Sequence, residues 1–310
     1  MHPAFSVIFF TTLSGLGYGI WIWAAGGLLA PRSLPSLLPL SWLLTLAVLP
    51  VAIGLLSSTL HLGKPLRAWR AFSQWRTSWL SREGVLAIAS FLPWLGLMAM
   101  LWGGRGDFAA WSPWLGGALV LLSLATVACT AMIYASLTPI PAWHHRAVLP
   151  GYLLFALLTG GLATVAVQSA FAPLQELSAL VLLVLAVVLA VLKRRYWRDI
   201  DRGPSPVTRA SALGLPSDRT ATVFERPHTE ANYLTTEMGY VLARKHSRRL
   251  RRLALLLFAG VPAAACIVCL VLPPLAAPLL ALAAVAALLG AMVERWLFFA
   301  EARHLVMLYY

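Results

Sequence analysis

Between its charged residues the chain runs in long uncharged tracts: Ala4 to Pro31, Ser33 to Gly63, Gly84 to Gly104, Phe108 to Trp143, Ala147 to Gln175, Leu177 to Leu192 and Leu253 to Val293, with His counted as uncharged. A helix needs roughly 20 apolar residues to cross the hydrocarbon core, and within that core a helix satisfies its own backbone hydrogen bonds. The last tract is long enough for two spans and is broken by Pro273-Pro274 and Pro278. The Leu177 to Leu192 tract is the shortest; nothing polar interrupts it, so it counts as a span entered at Glu176. The expected fold is all-α, an integral membrane bundle of eight transmembrane helices. It forms a single membrane domain over 1–310, with an extended polar cytoplasmic loop at 193–252. Only 11% of the residues are charged and 60% are hydrophobic, whereas a soluble domain carries about a quarter charged residues.

The basic residues set the expected orientation. With eight spans, both termini and the loops after spans 2, 4 and 6 lie on one side, which holds 22 of the 24 Lys and Arg; Arg32 and Arg105 lie on the other. Long loops are poor witnesses to topology, and setting aside the 14 basic residues from Lys193 to Arg252 still leaves 8 against 2. Both termini are therefore expected in the cytoplasm. The start of the chain has no basic n-region and its apolar tract outruns a signal peptide, so no cleaved leader is expected. A net charge of +13 raises nucleic acid as a partner, but the charge lies beside membrane spans, where it sets topology and attracts anionic lipid. No nucleic-acid partner is expected.

Two connections on the basic side are long. Leu62 to Arg82 interleaves Lys64, Arg67, Arg70, Arg76 and Arg82 with Trp69, Phe72, Trp75 and Trp79. This pattern suits a short amphipathic helix at the interface and equally an aromatic belt with ordinary positive-inside charge. Lys193 to Arg252 opens on a basic run and passes through the irregular Arg202-Gly203-Pro204-Ser205-Pro206. Its Tyr233 to Arg252 part carries apolar residues at helical spacing and is expected to lead into span 7. A stretch with so few large apolar groups builds no core of its own and reads as a docking surface or as disorder. Cys129, Cys266 and Cys269 sit in apolar tracts and read as core residues.

The chemistry concentrates where span 2 ends and span 3 begins. His61 closes one apolar tract and Glu83 opens the next, 22 residues later, so an imidazole and a carboxylate share one membrane edge. Ionisable groups at such depth are functional candidates, although singly a His and a Glu there are also ordinary helix-end residues. Together they suit proton exchange near neutral pH, which quinol oxidation requires because two protons leave with two electrons. Arg67, Arg70 and Arg82 stand close enough in sequence to keep Glu83 ionised, and neighbouring Trp rings, Trp69 among them, suit an apolar slot for a quinone head.

Other centres are not indicated. Haem between membrane helices needs ligands, usually His, within spans, and none of the seven His lies near a span centre; no cysteine series suits an iron-sulfur cluster. No bound haem and no metal are expected. His144-His145 lacks a third ligand and reads as surface. Glu294, Arg295, Glu301, Arg303 and His304 are spaced for pairing as a charged cap on span 8, with a supporting role at the quinone site as the second reading.

The opening His2-Pro3-Ala4-Phe5-Ser6-Val7-Ile8-Phe9-Phe10-Thr11-Thr12, the Leu60-His61-Leu62-Gly63-Lys64-Pro65 stretch and Ser81-Arg82-Glu83 resemble the membrane anchor subunit of the dimethyl sulfoxide reductase family. The sharp motifs cover mainly the first 90 residues, while length and span count fit throughout. The resemblance implies a non-catalytic anchor in the bacterial cytoplasmic membrane. Its partners would be a molybdopterin catalytic subunit and a ferredoxin-like iron-sulfur subunit, so molybdopterin and clusters belong to the partners. It also implies electron exchange with menaquinone or ubiquinone, with quinol binding tied to His61 and Glu83. Lys64, Arg67 and Arg70 would position that site and meet the iron-sulfur subunit. The long Lys193 to Arg252 loop looks more like the sulfite-oxidising branch, in which electrons flow into quinone. The rival class is a small-molecule transporter, whose polar groups and broken helices gather at the bilayer midplane; here the ionisable groups gather at one edge.

Overall fold

A computed structural model describes residues 3–29, 37–60, 64–104, 107–202, 207–216, 218–225, 230 and 242–308. Among these residues the protein is all-helical, without strands, and eight helical segments are long and apolar enough to cross a membrane. Span 1 is α1 (Phe5–Gly26), and span 2 is α2 (Leu37–Leu46) followed by α3 (Val48–Thr59). Spans 3 to 6 are α4 (Trp79–Gly103), α5 (Phe108–Ala135), α6 (Val148–Ser169) and α7 (Glu176–Arg202). A short α8 (Arg209–Ala212) follows. Span 7 joins α9 (Leu242–Leu255) to α10 (Val261–Val271), and span 8 is α11 (Ala276–Ala300).

Proline explains the irregular spans. Proline lacks an N–H and its ring crowds the carbonyl four residues earlier. Pro50 lies three residues after the turn at Ala47 that divides α2 from α3, and Pro262 follows a π-helical turn at Leu256–Gly260. Pro273–Leu275 forms the 3-10 turn between spans 7 and 8, as the proline pair leads one to expect.

α1 and α6 are the most enclosed spans. They approach until backbones touch: a Cβ on Gly19 would lie 1.9 Å from the Ala156 carbonyl oxygen, and one on Gly160 would lie 2.2 Å from the Gly19 carbonyl carbon. Lipid offers no hydrophobic drive for helices to associate, so close van der Waals approach over small residues takes its place. α11 packs on both, α7 and α10 flank α11 and α6 on one side, and α3, α4 and α5 close the other. Buried indoles satisfy their N–H groups across the bundle: Trp21 and Trp94 both donate to the Leu44 carbonyl (3.0 and 2.9 Å), and Trp143 donates to Phe298 (3.0 Å).

Two features differ from the expectation from sequence. Spans 2 and 3 meet through α2, at the Trp94–Leu44 bond and the Thr45 hydroxyl on the Met98 sulfur (3.4 Å), whereas α3 packs on α1. The pair is thus drawn together at the end far from Leu60 and Trp79. α7 also runs on to Arg202, ten residues beyond the last uncharged position, because neither Gly nor Pro occurs before Gly203 and Lys193 finds a buried partner.

Candidate functional site

The site is assembled where α4, α5, α7 and α11 end on the side of the chain termini. The Ser57 hydroxyl donates to the Ser6 carbonyl (3.1 Å) and the Leu305 N–H to the Pro139 carbonyl (2.9 Å), which ties the starts and ends of distant spans to one face.

Ser78 caps α4 by accepting from the Ser81 N–H, and one turn later Glu83 points into the bundle, with 4% of its surface exposed. Its Oε1 contacts the Thr130 hydroxyl of α5, which also lies 3.1 Å from the Thr126 carbonyl oxygen. One hydroxyl hydrogen thus faces two acceptors. With Glu83 ionised the hydrogen serves the carboxylate; with Glu83 protonated the acid donates to Thr130, and the hydroxyl turns to Thr126. The hydroxyl thus has a partner in either protonation state of Glu83.

Over this end of α4 lies a 3-10 helix, Pro65–Gln74. Its Phe72 ring sits on Gly84, where a Cβ would come within 2.7 Å of the ring. Arg82 ties the segment down by donating to the carbonyls of Trp75 (2.9 Å) and Arg76 (2.5 Å), with its guanidinium 4.4 Å from the Trp79 ring centre. The connection expected as a short amphipathic α-helix forms a 3-10 helix instead, with Leu66, Trp69 and Trp75 exposed. Lys64, Arg67 and Arg70 are exposed, and the Arg70 guanidinium lies 5.6 Å from the Trp69 ring. Among the described residues no salt bridge joins Arg67, Arg70 or Arg82 to Glu83: the first two face outward and Arg82 is held by backbone carbonyls. His61, and with it the His61–Glu83 distance, lies outside the described residues.

Glu294 and Arg295, which the sequence reading assigned to a terminal cap, and Lys193, which it placed at the opening of the polar loop, are part of the interior. Glu294 is fully buried, Lys193 is 5% and Arg295 4% exposed. Lys193 contacts Glu294 Oε1, and Arg295 Nε lies 3.3 Å from Glu294 Oε2. Both cations also rest on aromatic faces, Arg295 3.7 Å from the Tyr152 ring and Lys193 3.9 Å from the Tyr196 ring. The sequence signal was the adjacency of these charges to apolar tracts, which does not say where a side chain points. The outer pairing matches a cap, though between helices: Arg251 of α9 clamps Glu301 (3.0 Å) and Asp201 (2.6 Å). Burial pushes the Glu301 carboxyl up, while Arg251 pulls it down.

The family model for the DMSO reductase anchor subunit (DmsC) matches residues 1–300. This chain belongs to that family. It is also 31% identical over 335 aligned residues to a subunit of sulfite dehydrogenase from Allochromatium vinosum, covering 100% of this chain and 99% of the relative. As a DmsC-family protein the chain is a multi-pass membrane anchor of an oxidoreductase complex, whose catalytic and electron-transfer partners are other subunits. Among the described residues no group of three or more His, Cys, Asp or Glu is placed to hold a metal ion.

Proposed function

We propose that this anchor is quinone-reactive, exchanging electrons between the quinone pool of a bacterial cytoplasmic membrane and an iron-sulfur partner that serves a molybdopterin subunit. The observation that carries the reading is a carboxylate buried near the end of a membrane helix, whose proton state one hydroxyl accommodates either way. The quinone supplies the two-electron chemistry; Glu83 takes or gives a proton at Oε1, and Thr130 orients that oxygen. His61 follows Leu60 at the end of span 2 and is the second proton-exchanging group. Trp69 and the cations Lys64, Arg67 and Arg70 frame the approach and meet the iron-sulfur subunit.

A quinone suits what surrounds Glu83. Because α4 packs on α2 rather than α3, the exposed Leu56 of α3 and Val85 and Ile88 of α4 offer apolar surface at this end that suits a lipid-soluble quinone. The basic loops on the same side suit docking of soluble partners, with both termini in the cytoplasm. The full-length similarity to a sulfite dehydrogenase subunit favours sulfite as the electron donor, with electrons flowing into quinone.

The test uses the intact complex in native membranes and follows whichever linked reaction the wild type supports, sulfite-dependent reduction of a short-chain quinone or quinol-dependent sulfoxide reduction. Glu83→Gln and His61→Ala are each expected to lower the linked rate by about 100-fold or more at normal assembly. Wild-type rates in both variants would refute the reading. Metal analysis of the isolated complex is expected to find molybdenum and iron.

A further inference from the structure

At the membrane edge α7 and α9 meet through one long side chain. Arg251 of α9 lies 5.5 Å from the Trp197 ring of α7, and it pairs with Asp201 of α7 (2.6 Å) and with Glu301 (3.0 Å). Four more arginines flank this contact, Arg194 and Arg198 on α7 and Arg248 and Arg252 on α9, and all four are exposed. Among the described residues none of the four forms an ion pair, because Arg251 occupies the two acids at the seam. Arg252 Nε donates to the Arg248 carbonyl (3.4 Å), which sets these two side by side.

Helical phase puts all four on one side of the seam. Arg194 and Arg198 stand three residues before and one after Trp197, and Arg248 and Arg252 stand three before and one after Arg251. At 3.6 residues per turn these positions are rotated by about 60° and 100° from the contact residue, in the same sense on each helix. The opposite sense leads to α11 in both cases: Lys193 meets Glu294 there, and Ala254 and Phe258 are fully buried where α9 and the turn after it pack on α11. α7 ends and α9 begins on the same face, so the two run antiparallel, and equal rotation brings both arginine pairs to the outer side.

That outer side continues downward as apolar surface. Val191 and Val187 precede Arg194 by three and seven residues, Leu256 follows Arg252 by four, and all three are exposed within membrane spans. A rise of about 1.5 Å per residue places Arg194 about 3 Å and Arg198 about 9 Å beyond Leu192, the last uncharged residue of α7. The headgroup layer is about 5–8 Å deep on each side of the hydrocarbon core, so these cations stand at its depth. The surface therefore joins clustered guanidinium groups, which match phosphate oxygens in pairs, to an apolar wall facing the hydrocarbon.

We infer that the outer seam between α7 and α9 is a binding site for one anionic phospholipid. Its phosphate lies among Arg194, Arg198, Arg248 and Arg252, and its acyl chains run along Val187, Val191 and Leu256. A soluble acidic protein would satisfy the arginines but would leave the apolar wall uncovered, whereas a lipid satisfies both. The bound lipid bridges α9 to α7 from the outside, as Arg251 does from the inside. This inference does not depend on the quinone reading.

The test uses the whole complex, delipidated in detergent and titrated with phosphatidylglycerol or phosphatidylcholine of the same chain length, with bound lipid read by native mass spectrometry. Phosphatidylglycerol is expected to bind about tenfold or more tighter than phosphatidylcholine, and Arg198→Gln with Arg252→Gln is expected to remove that preference. Arg195→Gln with Arg249→Gln removes the same charge, one residue from each helix, but at exposed positions turned away from the seam; it is expected to keep most of the preference. Should the seam double variant fail to accumulate, its two single variants are each expected to lose part of the affinity, and wild-type affinity in both would overturn the site. Equal losses in the two double variants would reduce the effect to general positive charge and overturn it. Equal binding of the two lipids would do the same. Displacement of the lipid by excess inorganic phosphate would assign the arginines to a free anion, and loss of partner subunits with lipid binding unchanged would assign them to a protein surface; either result removes the lipid site.

Discussion

Replacing Thr130 by Val removes one hydroxyl and keeps the side-chain volume, and it removes the one side-chain hydrogen bond that Glu83 makes among the described residues. Glu83 is only 4% exposed, so bulk water does not replace the lost donor. Hydrogen bonds to a charged group are worth about 1.5–3 kcal/mol. If that interaction serves the proton-transferring state, the loss corresponds to roughly 10- to 100-fold in rate. Thr130→Ser keeps the hydroxyl and is expected to hold most of the wild-type rate. The assay is the quinone-linked rate of the complex in native membranes, normalised to the amount of assembled complex, with kcat and KM separated. Thr130 acts through Glu83, so the fall belongs in kcat. Equal rates for Thr130→Val, Thr130→Ser and wild type at equal assembly would refute the reasoning.

The α1–α6 crossing has no room for a Cβ at Gly160, so Gly160→Val is expected to cost well over the roughly 1–3 kcal/mol of ordinary overpacking and to abolish accumulation in the membrane. Immunodetection of membrane fractions checks this, and normal levels would contradict the packing. Lys193→Ala removes a cation from a buried network that keeps its Glu294–Arg295 pair, so its loss of thermal stability in detergent is expected to fall below the roughly 3–5 kcal/mol of a fully broken buried pair. Glu294→Ala strands two buried cations and is expected to reach that range. Burial lowers the proton affinity of His145, with Asp199 opposing it. The folded state therefore favours neutral His145, and its contribution is present above the unfolded pKa of about 6.5 and lost as pH falls below it. Melting in detergent at pH 8 and pH 5 is expected to show a small loss on acidification, about 1 kcal/mol or less, that His145→Gln reduces; an unchanged loss would refute it.

The spans were legible because lipid imposes one rule on every segment: backbone groups must bond within the helix, so length and lack of charge suffice. The same physics located the break at Pro273-Pro274 and the start of α7 at Glu176. The end of α7 was missed because a charge was taken as the edge of the membrane, whereas Lys193 stays buried once Glu294 lies opposite it. The direction of Glu83 was not legible either: helical phase toward Thr130, 47 residues further on, depends on how α4 rotates against α5.

What the sequence by itself determined is the number of helical segments long and apolar enough to cross a membrane and the break at Pro273-Pro274, since each is a local balance between a segment and its solvent. Only the tertiary structure decided that α1 and α6 form the centre, that Glu83 turns inward onto Thr130, and that Lys193, Glu294 and Arg295 meet. Those facts depend on side chains from distant spans compensating one another's burial, and partners contributed by separate helices leave no local trace in the chain.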